Sequence, residues 1–66
     1  MNLNDFTVGD RVQLHPATDF WMSGDRYGTV TNITRQNVLV KMDRSFRVWW
    51  LDAGNILEIV ESAAWR

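Results

Sequence analysis

Apolar and polar residues alternate along most of the chain, and short turn segments interrupt the alternation. A period of two over short runs predicts half-buried β-strands. We predict strands at 11–15, 26–34, 38–42, 46–51 and 56–60, with a short 3₁₀ turn at 52–55. The pattern therefore predicts an all-β domain whose strands curl into one small closed barrel.

The same alternation predicts which side chains fill the core. We expect the barrel to close around Val12, Val30, Val40, Val48 and Ile59. Leu39 and Lys41 on the third strand then point outward. Because Val30 and Ile33 are three positions apart, a bulge near Thr31 and Asn32 is needed to place both inside.

The segment between the first two strands is the least regular part of the pattern. Two Gly-Asp-Arg sequences, at 9–11 and 24–26, each precede an apolar-alternating run. The loop at 16–25 carries Phe20, Trp21 and Met22 in succession. These residues either fold over the core or form an exposed apolar surface that binds other molecules. Gly28 lies within the second strand, where glycine commonly marks a bulge or a bend. Phe6 is expected to plug one end of the barrel.

Chain length and residue types limit what this protein can be. With 66 residues it is expected to be one domain, 1–66, with its ordered barrel at about 8–60 and flexible termini. A domain this small buries only about 60% of the surface of its unfolded chain. Cysteine is absent and His15 is the single histidine, so disulfides and thiolate metal sites are excluded and no metal or other cofactor is expected.

The charge is nearly balanced but unevenly distributed. The formal net charge is −1 and the pI is about 5.6, which argues against a general polyanion binder. Residues 34–50, however, contain one acidic residue, Asp43, and four basic residues, Arg35, Lys41, Arg44 and Arg47. No apolar run approaches the ~18 residues of a membrane span, and residues 1–6 lack the features of a signal peptide. A cytoplasmic location without membrane contact is therefore expected.

The predicted order of elements resembles that of SH3-like barrels. Residues 54–59 are similar to the ending of Src-homology-3 domains, and residues 9–33 resemble the glycine pattern of KOW-type barrels in ribosomal and transcription-factor proteins. The chain also resembles small uncharacterised SH3-like proteins of bacteria and tailed bacteriophages. These resemblances cover nearly the whole chain and imply the fold, whereas one fold hosts many functions.

Plasmid-encoded type II dihydrofolate reductases are a further resemblance. Those SH3-like chains share the order of Gly9-Asp10-Arg11-Val12, Trp21 and Gly28-Thr29-Val30. Their active pore is built from a Val-Gln-Ile-Tyr strand, whereas the matching stretch here is Val48-Trp49-Trp50-Leu51. The polar ligand-holding groups are missing, so no active-site residue is carried over. The resemblance favours a symmetric oligomer that pairs through this strand.

The aromatic residues are the candidates for binding a protein partner. Src-homology-3 domains hold proline-rich segments in an aromatic groove with acids in the first loop. Here Asp19 and Asp25 supply the acids, and the candidate partner-binding residues are Phe20, Trp21, Leu39 and Trp49. The alternative is that the loop aromatics only cover the core and the two acids are turn residues.

The Trp49-Trp50 pair raises the question of self-association. Neighbouring strand residues point to opposite faces, so a single sheet buries one of them more easily than the other. We expect Leu39 and Trp49 to form an outer apolar patch that contacts a partner or a second copy. The alternative is that Trp65 folds over Trp49 within one chain.

The basic residues suggest a second kind of partner. Arg35, Lys41, Arg44 and Arg47 are candidates for contacting a nucleic-acid backbone, with Trp49 stacking on a base. The alternation allows Arg35, Lys41 and Arg47 to share one outward face. The alternative is a solvated sheet face whose charges prevent edge aggregation.

Together, these observations predict a small binding module without catalytic activity. No nucleophile with a paired base and no phosphate-binding glycine loop occurs, so an enzyme is not expected. The partner is expected to be a protein, bound through the first loop and the strand-four aromatics. The alternatives are a KOW-type nucleic-acid contact through the basic hairpin and a diverged, oligomeric, reductase-like scaffold.

Overall fold

A computed structural model describes residues 1–63 and has an all-β architecture. The strands are β1 (Arg11–Leu14), β2 (Tyr27–Ile33), β3 (Val38–Met42), β4 (Val48–Leu51) and β5 (Ile56–Glu61). One helical turn, α1 (Asp19–Met22), lies between β1 and β2. Two 3₁₀ turns occupy Leu3–Asp5 and Ala53–Asn55. The second of these confirms the turn predicted before the last strand.

The five strands form one antiparallel sheet in the order β4-β3-β2-β1-β5. β4 and β5 are the edges and do not pair with each other, so the sheet is open and the predicted closure into a barrel is not observed. All five predicted strands are present, and β3 has the predicted bounds. β4 begins two residues later than expected because residues 43–47 form the turn that precedes it.

One face of the sheet carries the core. Its fully or nearly fully buried members are Phe6, Val12, Leu14, Val30, Val38, Val40, Met42, Leu51 and Ile56. Ile59 packs against this cluster and is half-buried. The alternation of β1 and β3 is confirmed, since every second residue of each is buried.

Val48 is the one predicted core residue that the structure places elsewhere. β4 pairs with β3 so that Val40 lies opposite Trp49 and Val38 lies opposite Leu51. Directly opposed residues share a face, so Trp49 and Leu51 are on the core side. Val48 lies opposite Lys41 on the outer face and is 47% exposed. The prediction was wrong because both faces of β4 carry apolar residues, so the alternation alone does not indicate which face is buried.

The irregularity in β2 confirms the predicted bulge. The pairing of β2 with β3 shifts between Val30 and Asn32, so Val30 is buried and Ile33 packs against the core. Gly28 does not mark this bulge, because its register with Met42 is regular. Glycine is needed there for close approach: a Cβ at position 28 would lie 2.8 Å from the carbonyl oxygen of Lys41.

The β3–β4 connection is a tight turn with an unusual backbone. The amide of Phe46 donates to the carbonyl of Met42 at 3.0 Å, and the Met42 amide donates to the carbonyl of Arg47 at 2.8 Å. Phe46 adopts a left-handed conformation, with φ of 60°, and its side chain is 72% exposed. A bulky residue rarely takes this conformation. The turn therefore presents the Phe46 ring to solvent on the outer side of the sheet.

A buried carboxylate ties both ends of the described chain to the sheet. Asp10 is fully buried, and its two oxygens accept hydrogen bonds from the backbone amides of Thr7 at 2.8 Å and Ala63 at 2.7 Å. Its own backbone pairs with Val30. The aspartate of the first Gly-Asp-Arg sequence thus anchors the lead-in segment and the segment after β5.

On the outer face, an ion pair joins β1 to the end of β3. The Arg11 guanidinium donates two hydrogen bonds to Asp43, at 2.6 and 2.5 Å. These bonds hold the pKa of the Asp43 carboxyl below its ordinary value. Both side chains are more than one-third exposed, so solvent screening keeps the contribution of the pair small.

Replacing Asp43 by asparagine tests this pair. A depressed carboxyl pKa contributes stability that is present above the unfolded pKa and is lost as the pH falls through the folded pKa. We expect Asp43→Asn to lower the free energy of unfolding by about 0.2–1 kcal/mol at neutral pH. The free energies of unfolding of the wild type and the variant, measured by urea denaturation, should become equal once the pH is low enough to protonate Asp43. A constant difference at every pH would contradict this assignment.

Candidate functional site

The first loop, residues 16–25, is compact because Thr18 caps the helical turn α1. The Thr18 hydroxyl donates to the carbonyl of His15 at 2.8 Å and accepts from the amide of Trp21 at 3.4 Å. A threonine at this position satisfies amides that a helical turn leaves free. The sequence predicted a loop here, and the capped turn brings Phe20 against the sheet.

A second buried carboxylate links this loop to the β3–β4 turn. Asp25 accepts hydrogen bonds from the backbone amide of Ser45 at 3.2 Å and from its hydroxyl at 2.9 Å. The Arg44 side chain lies over Gly24, whose φ of 98° favours glycine. The sequence indicated Asp25 as one of two first-loop acids for binding a partner, whereas its carboxylate holds the two loops together.

The two linked loops border an open cleft with a volume of about 910 Å³. Its lining comprises Ala17, Thr18, Asp19, Phe20, Ser23, Asp25, Arg44, Ser45, Arg47, Trp49 and Asn55. The ring centroids of Phe20 and Trp49 are 5.3 Å apart and the rings are tilted by 54°, a favourable geometry for an aromatic pair. Trp49 remains 39% exposed, so part of the ring is available to a ligand.

Charged groups lie around this aromatic pair. Arg44 and Arg47 line the cleft from the β3–β4 turn, and Asp19 lines it from α1. With Asp25 engaged by Ser45, the side chains lining the cleft combine two arginines, one exposed carboxylate and an apolar aromatic surface. Such a surface is suited to a ligand that has an apolar group next to an anionic one.

The structure brings together two of the four predicted partner-binding residues. Phe20 and Trp49 meet in the cleft. Trp21 packs against the core, and the Arg26 guanidinium lies 4.8 Å from its ring centroid. Leu39 lies on the outer face opposite Trp50. The expected patch of Leu39 with Trp49 is therefore wrong, because these two side chains lie on opposite faces of the sheet.

The four predicted basic residues do not form one surface. Arg44 and Arg47 line the cleft, whereas Lys41 lies on the outer face, where its ammonium is 5.9 Å from the ring centroid of Phe46. Arg35 is exposed in the β2–β3 turn. The expected common face of Arg35, Lys41 and Arg47 is wrong, because Arg47 lies outside β4 and its side chain is on the cleft side.

The outer face carries an apolar surface in which Trp50, and not the predicted Trp49, lies opposite Leu39. Trp50 is 70% exposed beside Val48, and Phe46 lies at the adjoining turn. The sequence signal was the adjacent Trp49-Trp50 pair, because neighbouring strand residues point to opposite faces and one of the two tryptophans must lie on the outer face. Trp65, the predicted alternative cover for Trp49, lies outside the described residues.

Metal-binding clusters and membrane-spanning helices are both absent from residues 1–63. No group of three or more histidine or acidic side chains in that range is arranged to hold a metal ion. None of its helices has the length and apolar character needed to span a bilayer. Comparison with known protein families, curated proteins and solved structures finds no match. The class that the structure defines is a small all-β domain with an aromatic, charged cleft.

Proposed function

We propose that this protein is a non-catalytic binding module of the SH3-like type, and that its cleft holds an extended segment of another protein. The five antiparallel strands, the long first loop and the 3₁₀ turn before β5 support the SH3-like assignment. The observation that carries the function is the Phe20–Trp49 pair between two loops that Asp25 and Ser45 hold together.

The cleft chemistry specifies the kind of segment. Half-exposed tryptophan rings beside arginines are typical centres of binding energy at protein interfaces. An apolar side chain of the partner would contact Phe20 and Trp49, and a neighbouring carboxylate would accept hydrogen bonds from Arg44 or Arg47. Charge-assisted bonds of this kind orient a ligand. The Asp25–Ser45 link keeps the walls in place before binding, which lowers the ordering cost.

Selection from a random peptide library, followed by anisotropy measurements on the enriched peptides, tests this proposal. We expect a motif that combines an apolar residue with an acidic one. Trp49→Ala and Phe20→Ala should each weaken binding at least tenfold, since loss of such a contact is worth more than about 1.4 kcal/mol. Trp50→Ala, which removes the same type of side chain from the outer face, should bind as the wild type does.

Two outcomes would refute a peptide-binding cleft. Either no peptide is enriched over a Phe20→Ala, Trp49→Ala double variant, or the enriched peptides bind that folded variant equally well. Circular dichroism on each variant separates loss of the cleft from loss of the fold.

A nucleic-acid contact is the second candidate, favoured by the position of Arg44 and Arg47 beside Trp49. Arginines that neutralise phosphates next to a stacking ring bind single strands. Asp19 in the same cleft and the net charge of −1 favour the protein partner. Binding of a short oligonucleotide by two arginines would give a log–log salt slope of about −1.4. A slope of this size that falls to about −0.7 in Arg44→Ala and in Arg47→Ala would favour the nucleic acid instead.

A further inference from the structure

The cleft lies along an edge of the sheet. Of the five strands described, only β4 contributes a lining residue, Trp49. Ser45 and Arg47 line the cleft just before this strand, and Asn55 lines it just after. β4 is also the last strand of the sheet on that side. An extended segment that contacts Trp49 can therefore reach the unpaired side of β4.

The hydrogen-bond pattern shows which backbone groups β4 offers there. The Met42 amide donates to the carbonyl of Arg47, and bonded pairs alternate along an antiparallel ladder. Trp49, two residues further along, therefore directs its backbone groups toward β3. Val48 and Trp50 direct their N–H and C=O groups to the side where no further strand of residues 1–63 lies. These outward groups are two residues apart, which is the spacing that another antiparallel strand requires.

The two edges of the sheet differ in how they are protected against an added strand. Edge strands commonly carry charges, prolines or bulges that prevent such pairing. β5 has two register shifts against β1 and carries Glu58 and Glu61. β4 has a regular register against β3, and its sequence Val-Trp-Trp-Leu contains no charge and no proline. The edge beside the cleft is therefore the one that can accept a strand.

We propose that the extended segment held by the cleft joins the sheet as an antiparallel strand beside β4, an inference that rests on the proposed function. Every strand pair of the sheet is antiparallel, and this direction gives the slightly more stable pairing. The segment residue opposite Trp49 is position n. Its neighbours n−1 and n+1 then exchange backbone hydrogen bonds with Trp50 and Val48. Backbone bonds of this kind supply affinity, and alternate side chains supply specificity.

This register assigns an order to the apolar and acidic residues of the segment. Directly opposed residues share a face, so positions n and n+2, opposite Trp49 and Arg47, both lie on the cleft side. An apolar residue at n contacts Phe20 and Trp49, and a carboxylate at n+2 accepts hydrogen bonds from the Arg47 guanidinium. Position n+1 points to the outer face. The ligand is thus a β-strand in which an acidic residue follows the apolar one by two positions.

Backbone N-methylation of the tightest selected peptide tests the pairing, with n as the apolar residue whose replacement by alanine weakens binding most. A methyl group at n−1 or n+1 removes an N–H that bonds to β4, and we expect binding to weaken by about tenfold or more. At n the N–H points away from β4, so methylation there is the matched control and should change binding by about threefold at most. Trp50→Ala remains a valid protein control, because it keeps the backbone groups of residue 50.

Two measurements on the protein test the same pairing. The amide hydrogens of Val48 and Trp50 should exchange rapidly in the free protein and slowly in the peptide complex. Val48→Pro removes an N–H that β3 does not use, so it should weaken peptide binding by about tenfold or more while circular dichroism shows an intact fold. The exchange measurement uses the wild type and does not depend on the folding of this variant.

Three results would overturn strand addition and leave peptide binding by the cleft standing. The first is equal binding of peptides methylated at n and at n+1. The second is selection of the acidic residue at n−2, which would indicate a parallel segment. The third is slow exchange at Val48 and Trp50 without peptide, which would show that another chain, such as a second copy, already covers the edge. A library that enriches no peptide would refute both proposals.

Discussion

Val40→Asp is expected to unfold the protein at neutral pH. Val40 is fully buried at the centre of the sheet, between Val30 on β2 and Trp49 on β4. A buried carboxylate without a partner costs several kcal/mol. A chain of 66 residues has a free energy of unfolding of roughly 3–10 kcal/mol. The substitution therefore removes most or all of the stability, and circular dichroism should show no cooperative melting transition.

Lys41→Asp is the matched control, because it places the same side chain at the next position of the same strand. Lys41 is exposed on the outer face, so the carboxylate remains in water. We expect a change in the free energy of unfolding within about 1 kcal/mol, including loss of the contact with Phe46. Similar melting curves for the two variants would mean that the inner and outer faces of β3 are assigned wrongly.

Gly28→Ala is expected to destabilise the protein strongly although it adds only one methyl group. The added Cβ would meet the backbone oxygen of Lys41 at 2.8 Å and collide with a methyl group of Val40. The backbone atom cannot move without separating β2 from β3. Overpacking of this kind typically costs about 1–3 kcal/mol, a large part of the stability of so small a domain. Urea denaturation should show a lower midpoint.

Gly54→Ala makes the same chemical change where space is available. Within the described part of the chain, no atom beyond the turn's own residues lies within 4 Å of the position a Cβ would occupy, and residue 54 is exposed in the second 3₁₀ turn. Alanine at a compatible position stabilises by about 0.4–1 kcal/mol because it restricts the unfolded chain. If the two alanine variants melted alike, the close approach at Gly28 would not be the reason for glycine there.

The strands with one apolar face were predictable from the sequence, and β4 was not. On β3, Val38, Val40 and Met42 alternate with Leu39 and Lys41, so burying the more apolar set fixes both the bounds and the face. In β4, apolar side chains are buried whichever of the two alternating sets of residues faces the core. Only pairing with β3 decides that Trp49 faces the cleft and Val48 faces outward.

The sequence indicated which residues belong to the candidate site, but it did not show that they lie together in one cleft. The sequence indicated Phe20 and Trp49 through their apolar character, and Arg44 and Arg47 through local charge. It assigned Phe20 to the protein-binding hypothesis and Arg44 and Arg47 to the nucleic-acid hypothesis, because nothing along the chain shows that residues 24 to 27 positions apart share a cleft. The Thr18 cap and the Asp25–Ser45 hydrogen bonds bring them together.

By itself, the sequence determined the all-β class, the positions of the strands and turns, the bulge in β2 and most of the core. These features depend on local alternation and on the conformational preferences of single residues, which are encoded in short segments. Only the tertiary structure decided the open sheet, the face of each β4 residue and the cleft between the first loop and the β3–β4 turn. These features depend on strand register and on hydrogen bonds between distant residues, which acquire definite partners only when the chain folds.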